Sequence, residues 1–254
     1  MRITFLGTGT SVGVPAIGCG CAVCTSEDPR NNRLRQSLWI RNGSRSLLVD
    51  TSVDLRQQAL TYGIDRLDAV LLTHPHADHI FGLDETRLYA YHQRQTIPVY
   101  GTRWTLDGVR KSFWYAFEDV PEGGGRPKLD LIEIDGPFRE AGLDIIPVEI
   151  DHGSMPVTGY RIGGLAYLTD CKRIPEETIR AVRGIPFLII NALRHEPPHP
   201  THMTVGEALE AVEAIGPGRT FLTHMGHDLE YVELARFLPE SVEPAYDGLT
   251  LDLD

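Results

Sequence analysis

What this 254-residue chain lacks narrows its class before any motif is read. No apolar run approaches the roughly 18 residues that a bilayer span needs, so no membrane association is expected. The first residues, Met1-Arg2-Ile3-Thr4-Phe5-Leu6-Gly7, carry no charged region followed by a long apolar stretch. No secretory signal is therefore expected, and the chain reads as cytoplasmic. Basic residues are few: 24 Lys and Arg stand against 35 Asp and Glu, for a formal net charge of −11. Nucleic-acid affinity leans on Lys and Arg at phosphates, so a long polyanion is not an expected partner. A small anion held by bound cations stays open, because such cations dominate the local field. Cysteine is scarce, at four residues, and three of them are clustered, which points to metal rather than to disulfides.

What is present is concentrated in Thr73-His74-Pro75-His76-Ala77-Asp78-His79, which follows the apolar run Ala69-Val70-Leu71-Leu72. A short apolar run bounded by turn formers reads as a buried strand. Three imidazoles and a carboxylate therefore sit at a strand end, and these are donors that Zn²⁺, Mn²⁺ or Fe bind. His74 and His76 are two apart, so in an extended segment their side chains leave on the same side. Asp78 and His79 point differently, which suits a second ion beside the first.

Upstream, Cys19-Gly20-Cys21-Ala22-Val23-Cys24 is a C-x-C-x-x-C knuckle that supplies three of the four thiolate or imidazole ligands a tetrahedral zinc takes. Gly7, Gly9 and Gly13 do not match G-x-G-x-x-G, and no Gly-Lys-Ser/Thr is present, so a tight turn near the metal loop is expected rather than a nucleotide loop.

The H-x-H-x-D-H order of His74, His76, Asp78 and His79 resembles the metallo-β-lactamase superfamily. That resemblance implies an αβ/βα four-layer sandwich, an α/β fold, with a one- or two-metal site between the edges of two sheets. It also requires a further His, Asp and His after later strands. Ile145 to Ile150 leads into Asp151-His152, Leu165 to Thr169 into Asp170, and Thr220 to Thr223 into His224. By the resemblance, His74, His76 and His152 hold one ion, Asp78, His79 and His224 the other, and Asp170 bridges. Asp50, at the end of the strand Leu47-Leu48-Val49, supports a metal-bound His from behind or caps a helix over Val53 to Tyr62, or both. The matches span residues 7 to 227, so one hydrolase domain over residues 1–254 is expected.

Two features narrow the resemblance. The cysteine knuckle, and the pair Thr201-His202-Met203-Thr204 and His224-Met225-Gly226-His227, look like the phosphodiesterase branch typified by the carbon–phosphorus lyase pathway enzyme. That enzyme opens phosphoribosyl 1,2-cyclic phosphate and also hydrolyses 2′,3′-cyclic nucleotides. By motif position, Cys19, Cys21, Cys24 and His227 hold a structural Zn²⁺, and His202 is the general acid. The implied reaction is hydrolysis of a small cyclic phosphodiester, with two divalent ions, Zn²⁺ or Mn²⁺, activating water and polarising phosphoryl oxygens. One alternative is a tRNA 3′-processing nuclease, although no long insertion rich in Gly and Lys is present. Another is a non-hydrolytic carrier of the pyrroloquinoline quinone synthesis type. Arg194 is a candidate contact for substrate phosphate, with a surface salt bridge as the competing reading. No oligomeric state is fixed; a homodimer is compatible with the sequence.

Elsewhere, Ser37 to Ile40 and Leu47 to Val49 read as a hairpin around Asn42-Gly43, and Ile97 to Tyr100, Leu129 to Ile134 and Ile185 to Asn191 read as strands. Asp84 to His92, Trp104 to Phe117 and Glu207 to Ile215 read as helices, the last capped by Thr204 with Glu207 in a capping box. Most of the large aromatics of Trp104 to Phe117 are expected in the core. His92 reads as a structural histidine. The Pro-rich loop with His195, His199 and His202 is a candidate active-site loop, with plain surface histidines as the competing reading for His195 and His199. Residues 121–127 read as a flexible loop and a lid candidate.

Overall fold

The computed structural model describes residues 1–118 and 125–253. Residues 121–124 of the loop read as a lid lie outside the described residues. Six strands open the chain: β1 (Arg2–Gly7), β2 (Ser37–Asn42), β3 (Arg45–Val49), β4 (Ala69–Leu71), β5 (Ile97–Gly101) and β6 (Leu129–Glu133). Seven more form a second sheet: β7 (Phe138–Glu140), β8 (Leu143–His152), β9 (Met155–Ile162), β10 (Leu165–Leu168), β11 (Phe187–Asn191), β12 (Arg219–Thr223) and β13 (Val242–Pro244). The last strand, β14 (Thr250–Asp252), returns to the first sheet against β1. The sheet orders are β14-β1-β2-β3-β4-β5-β6 and β13-β12-β11-β10-β9-β8-β7.

Strand periodicity explains the layers. Along β3, Leu47 and Val49 face the core between the sheets, while Leu48 faces the opposite way. Along β11, Ile189 faces the inter-sheet core, and Leu188 and Ile190 face outward. Successive side chains leave opposite faces of a strand, so a strand apolar at every position needs cover on both sides. Helices α1 (Leu55–Tyr62), α3 (Thr86–Gln93) and α4 (Arg103–Ser112) cover the first sheet through Leu55, Tyr89, Leu106 and Val109. Helices α5 (Glu176–Val182), α6 (Val205–Ile215) and α7 (Tyr231–Phe237) cover the second through Val182, Val205, Ala208, Ile215 and Leu234. The short α2 (Ala77–Ile80) carries Asp78 and His79. The result is the four-layer αβ/βα sandwich expected from the motif order.

The structure differs from the sequence expectations at several places. The aromatic helix stops at Ser112, and a short 3₁₀ turn spans Trp114–Ala116. Trp104, Trp114 and Phe117 are 42%, 56% and 40% exposed, so they are not core residues. The segment from Phe81 to Glu85 is 3₁₀, and the α-helix begins at Thr86. Strand β9 is interrupted in sequence by Pro156 and Gly159, which hides its pattern. Gly159 is there because a Cβ would lie 2.7 Å from Leu168 Cδ2. Helix α6 starts at Val205, because the Thr204 hydroxyl accepts from the Glu207 N–H while Glu207 accepts from the Thr204 N–H.

Candidate metal centre

The candidate donors sit at strand ends, and three residues there adopt left-handed backbone. Asp50 after β3 has φ of 61°, Asp170 after β10 has 56°, and His224 after β12 has 54°. Such conformations cost about 1–3 kcal/mol each in non-glycine residues and persist only where surroundings impose them. Here each turns the chain sharply at the sheet edge and leaves its side chain buried.

Three overlapping groups of donors result. His74, His76 and His152 form one, with donor atoms within 4.8 Å of one another. Asp78, His79, Asp170 and His224 form the second within the same limit, and His152, Asp170 and His202 the third. In the second group, His79 Nε2 lies 3.3 Å from Asp78 Oδ2 and 3.3 Å from Asp170 Oδ1. His224 Nε2 lies 3.3 Å from Asp170 Oδ2 and 3.7 Å from Asp78 Oδ2. Asp170 Oδ2 is also 3.9 Å from His74 Nε2, which puts this carboxylate between the groups.

Hydrogen bonds behind the rings set which nitrogen faces the centre. Asp50 Oδ2 accepts from His79 Nδ1 at 2.7 Å, so Nε2 is the nitrogen that faces the centre. The Thr73 hydroxyl donates to Asp50 and so can accept from His74 Nδ1 at 3.0 Å. The Thr201 carbonyl accepts from His152 Nδ1 at 3.0 Å. Asp50 also accepts from the Thr73 N–H and makes no bond to α1, whose N-cap position is Asp54, so its helix-cap reading is wrong. Thr73 and Thr201 escaped the sequence reading; a hydroxyl directly before the histidine motif was the available signal for the first.

The electrostatics favour a cation. Burial penalises the charged ring of His79, yet Asp170, Asp50 and Asp78 outweigh it and raise its pKa well above the ordinary value. Burial disfavours the Asp170 carboxylate too, but His224, His79 and His74 hold it well below the usual range. His79 Nε2 and both ring nitrogens of His224 are buried without a hydrogen-bond partner among the described residues. Orphaned imidazole nitrogens aimed at ionised carboxylates are expensive in a protein interior unless an ion satisfies them. The donor set thus fits divalent metal ions.

His202 is 12% exposed at its side chain, with Nδ1 3.9 Å from Asp170 Oδ2. Its ring stacks on His224 at 4.7 Å and meets His152 edge-on at 4.6 Å. It therefore does not face solvent. Burial, helped by His224, pushes its pKa down to about 3. His199 is partly buried with its ring 5.1 Å from His202, so it is not a plain surface residue. His195 is exposed and meets Phe237 edge-on at 5.1 Å, and His92 is exposed on α3. Arg194 makes no salt bridge among the described residues, and its Nε donates to the Pro197 carbonyl at 2.7 Å.

The knuckle closes on the segment after β12. Cys19 and Cys21 Sγ lie 3.3 and 3.4 Å from His227 Nδ1, and Cys24 completes a group of four donors. The Cys24 N–H and His227 draw the Cys21 thiol down to about 6, whereas burial pushes Cys24 up to about 11. The glycine turn after β1 lies against this same segment: the Thr10 N–H donates to the Met225 carbonyl at 3.2 Å.

Two mixed sheets flanked by helices, with His and Asp donors gathered at one edge, define a metallo-β-lactamase-type sandwich able to bind divalent metal. A family model described as "Beta-lactamase superfamily domain" matches residues 45–225, and the chain belongs to this superfamily. A solved structure described as a new diphosphatase from the PhnP family is 38% identical, with a TM-score of 0.93, covering 100% of this chain and 98% of that one. Zn²⁺-bound PqqB from Methylobacterium extorquens, at 23% identity, TM-score 0.81 and full coverage of both chains, shares the fold. A Porphyromonas gingivalis protein named octanoyltransferase is 42% identical over 258 residues. The match takes in 100% of this chain but 52% of that relative, so the chain spans about half its length. No helix among the described residues is long and apolar enough to cross a membrane.

Proposed function

We propose that the chain hydrolyses small phosphodiesters, foremost cyclic ones of the phosphoribosyl 1,2-cyclic phosphate or 2′,3′-cyclic nucleotide type. The observation that carries this reading is the pairing of two donor groups across Asp170 with a half-buried histidine, His202, beside them, which is left free for proton transfer once the seven other donors hold the ions. In this reading His74, His76 and His152 hold one divalent ion, Asp78, His79 and His224 hold the other, and Asp170 bridges. The ions, Zn²⁺ or Mn²⁺, supply an activated water and neutralise charge on the phosphoryl oxygens.

The chain's own residues supply the rest. Asp50 and Thr73 fix the rings of His79 and His74, and Thr201 fixes that of His152. His202 gives a proton to the departing sugar oxygen. Burial and the neighbouring His224 favour its neutral form, and an anionic phosphodiester beside the ring favours the protonated one. Arg194, with its terminal nitrogens free of acidic partners among the described residues, contacts the phosphate at the rim. Cys19, Cys21, Cys24 and His227 hold a separate structural zinc.

The 38% identical diphosphatase favours a second reading, cleavage of a diphosphate linkage, which presents a similar phosphoryl centre. A panel of 2′,3′-cyclic nucleotides, a dinucleoside diphosphate, bis(p-nitrophenyl) phosphate and precursor tRNA, run with metal analysis, separates the readings. Cyclic substrates with the highest kcat/KM support the proposal. Faster diphosphate cleavage selects the second reading, precursor tRNA preference selects a nuclease, and no turnover with metals bound selects a carrier.

A further inference from the structure

The aromatic segment that the sequence suggested as core instead presents a ring beside the ligand loop. Gly108 of α4 lies against Pro75, which sits between His74 and His76; a Cβ on Gly108 would lie 2.4 Å from Pro75 Cβ. Trp104 precedes Gly108 by four residues, so the two share one helix face about a turn apart. The Trp104 indole is exposed and forms one wall of a cavity of about 370 Å³. Ile134, Pro147 and Val157 also line it, with the carboxylates of Asp135 and Glu149. Its far wall is tied to the same loop, because the Thr158 N–H donates to the Thr73 carbonyl at 3.1 Å. Both walls are thus anchored on residues 73 to 75, directly before and within the histidine motif.

The lining selects a ligand class. A volume of this size accommodates a small flat ring system. An indole with apolar neighbours favours a planar aromatic partner, and stacking tolerates any base. Neither Asp135 nor Glu149 has an ion-pair partner among the described residues, so their charge repels phosphate and their oxygens accept N–H groups. We propose that this cavity binds the nucleobase of a nucleotide substrate, with preference for bases that carry an exocyclic amino group. The inference rests on the phosphodiesterase reading and names which cyclic phosphodiesters the site favours.

The test compares 2′,3′-cyclic AMP with the base-free methyl riboside 2,3-cyclic phosphate in the wild-type holoenzyme, Trp104→Ala and Trp104→Phe. The wild type should favour the adenine substrate in kcat/KM by 10-fold or more. That ratio should fall about 10-fold in Trp104→Ala and be largely kept in Trp104→Phe, in line with the stacking contribution of one ring. The uracil counterpart should rank below adenine. Saturation-transfer NMR with adenosine alone gives a readout independent of turnover, with base signals present in the wild type and lost in Trp104→Ala. A wild-type ratio near one, or equal adenosine signals in both proteins, overturns the base site while hydrolysis stands. Trp104-dependent adenosine binding without hydrolysis of any phosphodiester leaves the base site standing and removes the phosphodiesterase reading.

Discussion

Asp50 Oδ2 lies 2.7 Å from His79 Nδ1, and both side chains are fully buried. The carboxylate fixes the ring so that its other nitrogen faces Asp78 and Asp170. Partners behind a metal-binding histidine of this kind are worth about 10–100-fold in metal affinity. Asp50→Ala should weaken the ion of the Asp78, His79 and His224 group by that factor and the other less, through the Thr73 hydroxyl that links Asp50 to His74. Competitive chelator titration with metal analysis reads this, and equal loss of both ions would count against the assignment.

His202→Ala should keep the fold and both ions. Its turnover should drop about 10²–10⁴-fold on substrates with alkoxide leaving groups, the usual span for one acid–base group. The loss should shrink on p-nitrophenyl esters, whose leaving group needs no proton. An equal loss on both ester types, with metals retained, would make His202 a positioning residue.

Cys21→Ser removes one donor of the closed group around His227. A closed four-ligand site couples metal binding to folding. The variant should bind one zinc fewer per chain and melt at lower temperature, with residual activity in the folded fraction. Unchanged zinc stoichiometry would refute the structural site.

Glu207 sits in the capping box of α6 and pairs with Lys172. Burial opposes its ionisation, but Lys172 and the Thr204 N–H and hydroxyl prevail and lower its pKa. A depressed carboxylate pKa contributes stability above its unfolded value, about 4.3, that is lost as pH falls through the folded pKa. Glu207→Gln should therefore melt below the wild type at pH 7, with the gap closing as pH falls below about 4. Thr204→Ala should cost about 0.5–2 kcal/mol, as a lost N-cap does. A gap that persists at low pH would show that the charge of Glu207 is not what matters.

The local features of this protein are legible along the chain. The histidine motif, the cysteine knuckle, the capping box at Thr204 and a donor at each of three later strand ends are all statements about neighbours along the chain. Such features are legible because strand and helix periodicities act over a few residues. What those donors share depends on long-range packing. Asp78 and His224 stand 3.7 Å apart because β4 and β12, in different sheets, end at the same edge of the sandwich. Asp50 read equally well as a helix cap until its carboxylate was found against Thr73 and His79. The exposure of Trp104 was equally hidden, since an aromatic residue in a helix follows the same pattern whether it faces a sheet or a cavity. Convergence depends on which strands pair and which faces are covered, and those are set by the whole chain at once.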